Sequence, residues 1–309
     1  MRIVLFLIAI LGLWGVVSAQ TNVSGHLIHD GVSRSYITHL PPSWSADQSV
    51  PLVVALHPSF SSGASFQSSS GWDQKSDQEG FIVVYPTGGK SVGSGTSYAW
   101  NSYDFSGSAP DDLGFLVSLI NQLSSDYNVD TNRVYMTGFS NGAMMTNTFA
   151  SAHADKVTAI APVSGGWITA YGGDESDLQP NRPVPVWIWR GENEDFTTGS
   201  PGSAMPRDQQ DQAQLAFWKN HNQATLSTTV QEYLSYGILP RLYTTQIHVG
   251  NAPVWFTEVS GTAHQYQPGA ADLIWDRFFS QIVPEPAGVL WGWAGLSLLC
   301  SFALRRRFS

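Results

Sequence analysis

The chain has 309 residues, a length that suits about two domains at ~150 residues each. Its hydrophobic content of 42% excludes a disordered polymer, and its formal charge of −9 without a basic cluster in the body argues against a nucleic-acid partner. The one cysteine, Cys300, lies close to the C-terminus, so the body has no disulfide, no thiolate metal site and no cysteine nucleophile.

The ends reduce the domain count to one. Met1–Ala19 has a basic Arg2, an apolar run from Ile3 to Val17 and a small-residue cleavage pattern at Val17-Ser18-Ala19, the organisation of a secretory signal peptide. Ala287–Leu304 is eighteen residues without a charge, followed by Arg305-Arg306-Arg307, and is long enough to be a membrane-span candidate. Between these ends, residues 20–283 form a body of 264 residues with 11 basic and 23 acidic side chains, a size that one large α/β domain fills with a single core.

In chain order, Gly25–Leu40 reads as two strands turning at Asp30-Gly31. Leu52–Leu56 and Phe81–Tyr85 are continuous apolar runs of the buried parallel-strand kind. Gly88–Pro110 has no periodicity and reads as a long loop of the length that usually serves function. Asp111-Asp112 opens a helix whose buried stripe is Leu113, Leu116, Ile120 and Leu123. Arg133–Thr137 is a strand, Gly138–Gly142 a turn and Ala143–Ala152 a helix. Further strands are expected at Val157–Val163, Pro185–Trp189 and Val254–Val259, with helices at Asp208–Lys219 and Ala271–Ile282. The alternation predicts an α/β fold, a mostly parallel sheet covered on both faces, in a single domain.

Gly138-Phe139-Ser140-Asn141-Gly142 is a G-x-S-x-G pentapeptide between a predicted strand and a predicted helix. That context suits a nucleophile elbow: small residues at ±2 let a strained serine protrude and the helix pack close, and the helix N-terminus favours developing negative charge. A serine nucleophile needs a base, and the base needs an orienting acid. Of the eight histidines, His264 lies in the loop after the last strand, at the sheet end where ligand-facing loops collect. Glu192, Glu194 and Asp195 follow strand Pro185–Trp189, and the order serine, acid, histidine is that of α/β-hydrolases.

These blocks resemble a known family. Pro51–His57, Glu79–Pro86, Trp100-Asn101, Asp111–Phe115 and Asn132–Ala143 are similar, in order, to the polyhydroxybutyrate depolymerase/feruloyl esterase family of secreted serine esterases, over about Gly25 to Gln281. The resemblance implies an α/β-hydrolase fold and carboxylic ester hydrolysis without metal or cofactor. It implies Ser140 as nucleophile and His264 as base, although the Trp-Pro usual after the histidine is Gln265-Tyr266 here. The gap-free match puts the acid at Glu194, and Asp195 fits with a one-residue insertion. For the oxyanion the family uses a residue beyond its His-Gly pair, and this chain has His57-Pro58-Ser59; since proline lacks an N–H, the implied donors are Ser59 and Asn141. Trp100, Tyr103 and Trp167 are candidates for stacking on substrate or for packing.

Pro284-Glu285-Pro286, the apolar run and the three arginines resemble a PEP-CTERM sorting signal of Gram-negative bacteria, which implies transient membrane insertion, processing by an exosortase-type enzyme and a final place outside the cell or on its surface. The ester substrate would be a polyester or, alternatively, a feruloylated or acetylated polysaccharide. A rival of another class is an inactive protein that binds exopolysaccharide.

Overall fold

A computed structural model describes residues 21–282 apart from 94, 105–108, 195–204, 237–239 and 268. The expected signal peptide and the whole of the expected sorting tail therefore lie outside the described residues, as does Asp195. Among the described residues no helix is long and apolar enough to cross a membrane.

The apolar runs become the middle of one ten-stranded sheet. In chain order the strands are β1 (Thr21–His29), β2 (Val32–Leu40), β3 (Val50–Leu56), β4 (Ile82–Pro86), a two-residue pair β5 (Lys90–Ser91) and β6 (Tyr98–Ala99), β7 (Val129–Phe139), β8 (Ala159–Val163), β9 (Val186–Gly191), β10 (Leu226–Leu234), β11 (Arg241–Val249) and β12 (Val254–Val259). The large sheet runs β1-β2-β4-β3-β7-β8-β9-β12-β11-β10, while β5 and β6 pair only with each other. From β4 to β12 every neighbouring pair is parallel, and an antiparallel hairpin closes each edge.

Burial follows position in that order. β3, β4 and β8 are buried at every residue because helices cover both of their faces, whereas edge strand β1 alternates between exposed and half-buried side chains. Successive residues of β3 serve opposite cores. Leu52, Val54 and Leu56 join a cluster with Leu116, Leu119 and Leu123 of α3 (Asp112–Asp126), Phe149 of α4 (Asn141–Ala152) and Trp218 of α5 (Arg207–His221). Val53 and Ala55 join a cluster with Trp72, which opens α2 (Trp72–Glu79), and Trp275 of α6 (Ala270–Arg277).

Three regions differ from the sequence expectation. The loop Gly88–Pro110 contains the small β5–β6 pair. The short α1 (Gly63–Ser70) and α2 were not expected, and neither were β10 and β11. α1 buries Gly63, Phe66 and Ser70, and α2 buries Trp72, Lys75 and Ser76, too few apolar side chains to set a helical period. β10 is exposed or half-buried throughout and is held in the sheet by pairing with β11 and by Val230 and Leu234, which pack on the margin of the second cluster.

Candidate active site

The turn from β7 into α4 holds Ser140 at φ 54° and ψ −116°, a left-handed region that non-glycine residues seldom occupy. Its N–H donates to the Val163 carbonyl at 3.0 Å, and its own carbonyl accepts from Ala143 and Met144, both at 3.0 Å, so the strained residue is fixed from both sides. Space explains the flanking glycines. A Cβ on Gly138 would stand 2.5 Å from the Gly142 carbonyl oxygen, and one on Gly142 would stand 2.2 Å from the Leu56 carbonyl oxygen. Only without those side chains does α4 pack this closely on the end of β3.

Two more strand ends bring partners to Ser140. His264, in the loop after β12, places Nε2 2.9 Å from Ser140 Oγ, with its ring 4.8 Å from the Phe139 ring. Glu194, in the turn after β9, places Oε2 3.4 Å from His264 Nδ1. A carboxylate only accepts, so this contact assigns the hydrogen to Nδ1 and leaves Nε2 to accept from the serine hydroxyl. Glu194 Oε1 accepts from the Gly191 N–H at 2.7 Å and from the buried Ser164 hydroxyl, and Arg207 stands 3.5 Å from Oε2. Burial pushes the Glu194 carboxyl up, but the His264 contact, the Arg207 guanidinium, the Ser164 hydroxyl and the Gly191 N–H outweigh it and hold the group below its ordinary value. It is an anion at neutral pH.

Among the acids that the sequence left in competition, Glu192 turns away: its Oε2 accepts from the Gly261 N–H at 2.8 Å and so braces the loop that carries His264. Ser164 and Arg207 escaped the sequence reading. Ser164 carried a usable signal, because it directly follows β8 at the same end of the sheet as the other site residues.

Asn141 directly follows Ser140, and Ser59 lies three residues beyond Leu56 at the end of β3. Leu56 pairs with Gly138, which sets the segment after β3 next to the elbow, and Asn141 is the first residue of α4. Among the described residues neither N–H meets a backbone acceptor. The His57 ring stiffens the segment: Nε2 accepts from the Gly88 N–H at 2.9 Å, so Nδ1 carries the hydrogen and donates to the Pro58 carbonyl at 2.7 Å. Burial pulls the His57 pKa down to about 4, keeping the ring neutral. The Asn141 side chain binds the Trp100 backbone on both sides, accepting from its N–H at 2.6 Å and donating to its carbonyl at 3.2 Å.

The expected aromatic contacts divide. Trp100 is 1% exposed and donates its indole N–H to the His57 carbonyl at 2.9 Å, and Trp167 is 0% exposed and donates to Glu175. Both rings are buried in protein and pack in this structure instead of presenting a face to solvent. Tyr103 is half-buried and stacks on Tyr171 with ring centroids 5.8 Å apart. His29, Asp30 and Asp111 form the one cluster of potential cation ligands among the described residues; it shares no residue with the Ser140 site, and His29 is already hydrogen-bonded to Asp111 at 2.9 Å.

A parallel-centred sheet with a strained serine at a strand-to-helix turn, and an acid and a histidine supplied by later strand ends, has the architecture of the α/β-hydrolase fold. A family model described as Esterase PHB depolymerase matches residues 34–176. A bifunctional acetylxylan esterase/xylanase of Neocallimastix patriciarum is 31% identical over 174 residues, 56% of this chain and 23% of that protein. Poly(3-hydroxyalkanoate) depolymerase C of Paucimonas lemoignei is 30% identical over 151 residues, 48% of this chain and 35% of that protein. The chain thus matches well under half the length of either relative. An acetyl xylan esterase from Aspergillus awamori has the same fold, with a TM-score of 0.61 at 17% identity over 84% of this chain and 99% of that one.

Proposed function

We propose that the chain is a serine esterase that hydrolyses carboxylic esters. The observation that carries the reading is the unbroken contact sequence from Ser140 Oγ to His264 Nε2 at 2.9 Å and from His264 Nδ1 to Glu194 Oε2 at 3.4 Å. In this reading Ser140 Oγ attacks the ester carbonyl while His264 takes its proton, and Glu194 orients the ring and balances the imidazolium. The tetrahedral oxyanion is held by the N–H groups of Ser59 and Asn141, each such donor being worth roughly 3–4 kcal/mol in comparable sites. His264 then returns the proton to the leaving alkoxide. Water, activated by the same histidine, attacks the acyl-serine, releasing the acid and restoring the hydroxyl.

The substrate class we propose is an ester on a polymer, with polyester hydrolysis as the first reading. The likeness to an acetylxylan esterase supports a second, deacylation of a polysaccharide. We further propose that residues 1–19 direct export and that residues 284–309 form a sorting tail removed by an exosortase-type enzyme.

Ser140→Ala tests the core of the reading. It should lower the rate on an aryl butyrate by several orders of magnitude and abolish labelling by a fluorophosphonate, with the thermal midpoint nearly unchanged. Asp195→Asn should keep most of the rate. A Ser140→Ala protein with a tenth of the wild-type rate would remove the assignment. Relative rates on hydroxybutyrate oligomers, acetylated xylan and feruloyl esters then separate the two substrate readings.

A further inference from the structure

Behind Glu194 lies a ladder of charges that the proposed chemistry has not used. Arg207 opens α5, with its side chain 5% exposed, and stands between two more deeply buried carboxylates. Its guanidinium is 3.5 Å from Glu194 Oε2 and 3.2 Å from Asp211 Oδ1, one helical turn on. Asp211, 1% exposed, receives a second guanidinium, Arg190 NH1 at 2.8 Å. Arg190 lies near the end of β9 and pairs with Glu258 in register on β12, donating from Nε to Oε2 at 2.9 Å. Signs alternate at each step from the interior to the surface.

The placement runs against local preference. A cation in the first turn of a helix faces the positive end of the helix dipole, and a buried guanidinium loses its hydration. Both costs are offset only because carboxylates wait on either side of Arg207. Burial outweighs the pull of Arg207 and Arg190 and leaves the Asp211 carboxyl above its ordinary value, while the two guanidiniums at salt-bridge distance, 2.8 and 3.2 Å, supply the charges that pair with it.

The sum of the ladder bears on the reaction. Glu194, Asp211 and Glu258 supply three negative charges and Arg207 and Arg190 two positive ones. One negative charge is left over, and it is balanced when His264 takes the Ser140 proton. Arg207 by itself would repel that imidazolium; Asp211, held by Arg190, cancels the repulsion while Arg207 still pins the glutamate.

We propose that Arg207, anchored by Asp211 and Arg190, is a positioning residue that holds the Glu194 carboxylate ionised and aimed at His264 Nδ1, so that the site is electrostatically complete only when His264 is protonated. This rests on the Ser140–His264–Glu194 reading and assigns that site a supporting shell drawn from α5, β9 and β12. Arg207 touches no reacting atom and acts through Glu194.

A double-mutant cycle between Arg207→Gln and Glu194→Gln tests it, with kcat and KM measured on an aryl butyrate. Arg207→Gln in the wild-type background should lower kcat by about tenfold, within the coupling seen between contacting residues, with KM changed by less than about threefold. In the Glu194→Gln background the same substitution should change kcat by less than about twofold. Arg207→Lys, which keeps the charge and loses the planar fork, should recover most of the rate. If Arg207→Gln does not fold, the cycle is run with Arg207→Lys, whose smaller loss should likewise vanish beside Glu194→Gln. An equal loss in both backgrounds, or no loss in the wild type, overturns the proposal and leaves the triad reading standing. A near-wild-type rate for Glu194→Gln alone would instead remove the triad reading.

Discussion

A neutral ring locked between two backbone groups makes His57 a sensor of acid. Folded, its pKa is about 4; unfolded, it returns to about 6.5. Above that higher value the ring is neutral in both states and contributes no pH dependence. Between the two values the unfolded chain binds a proton that the folded chain refuses, so stability falls as the pH falls. The gap is worth roughly 3 kcal/mol by the bottom of that window. Glu194 acts in the same direction lower down, since its carboxyl is held below its ordinary 4.5 and acid protonates the unfolded chain first. Urea midpoints measured from pH 7 to 4 should therefore drop steadily, and a His57→Gln protein should show a shallower slope above pH 4.5. An unchanged slope in that variant would contradict a buried neutral His57. Of the residues in the proposed site, Ser140, Glu194 and His264 are the candidates that motif, chain order and resemblance name in the sequence. The role of His57 is not legible there, because it depends on Gly88, 31 residues away, reaching its ring.

At the scale of elements, the elbow is a contact between a helix and a strand more than a motif. α4 approaches so closely that the Leu56 carbonyl occupies the place of a Gly142 Cβ. Gly142→Ala must push the helix away from β3 or bend the strand, since backbone cannot swing aside as a side chain can. The expected cost is roughly 1–3 kcal/mol, as for other overpacked sites. At roughly 2–4 °C per kcal/mol the thermal midpoint should fall by several degrees, and the rate should fall too because Ser140 rides on the same turn. A Gly142→Ala protein with wild-type midpoint and rate would show that this approach is not needed. The central strands were found in the sequence because burial on both faces writes a continuous apolar run. α1, α2, β10 and β11 were not, since their order comes from neighbours: α2 is held by Trp72 in one core and by Lys75, which bridges Glu79 and Asp276.

For the whole molecule, the described body closes its own core, and Ile282 is 2% exposed within it. A chain cut to residues 20–283 should thus be soluble and as active as the full-length protein, whereas, if the proposed sorting reading holds, one carrying the apolar tail should partition into membranes. Loss of activity on truncation, measured on the same aryl ester, would mean that the tail takes part in the fold. The sequence by itself determined the alternation of strand and helix, the parallel centre of the sheet and the strand-to-helix setting of Ser140, because apolar period and turn chemistry are local properties. Only the tertiary structure decided that Trp100 and Trp167 are buried, that Glu192 braces a loop instead of facing the histidine, and that Ser164 and Arg207 surround Glu194. Those outcomes depend on which strand ends meet across the sheet and on the cost of leaving a buried charge without a partner, and neither quantity is carried by a residue's neighbours in the chain.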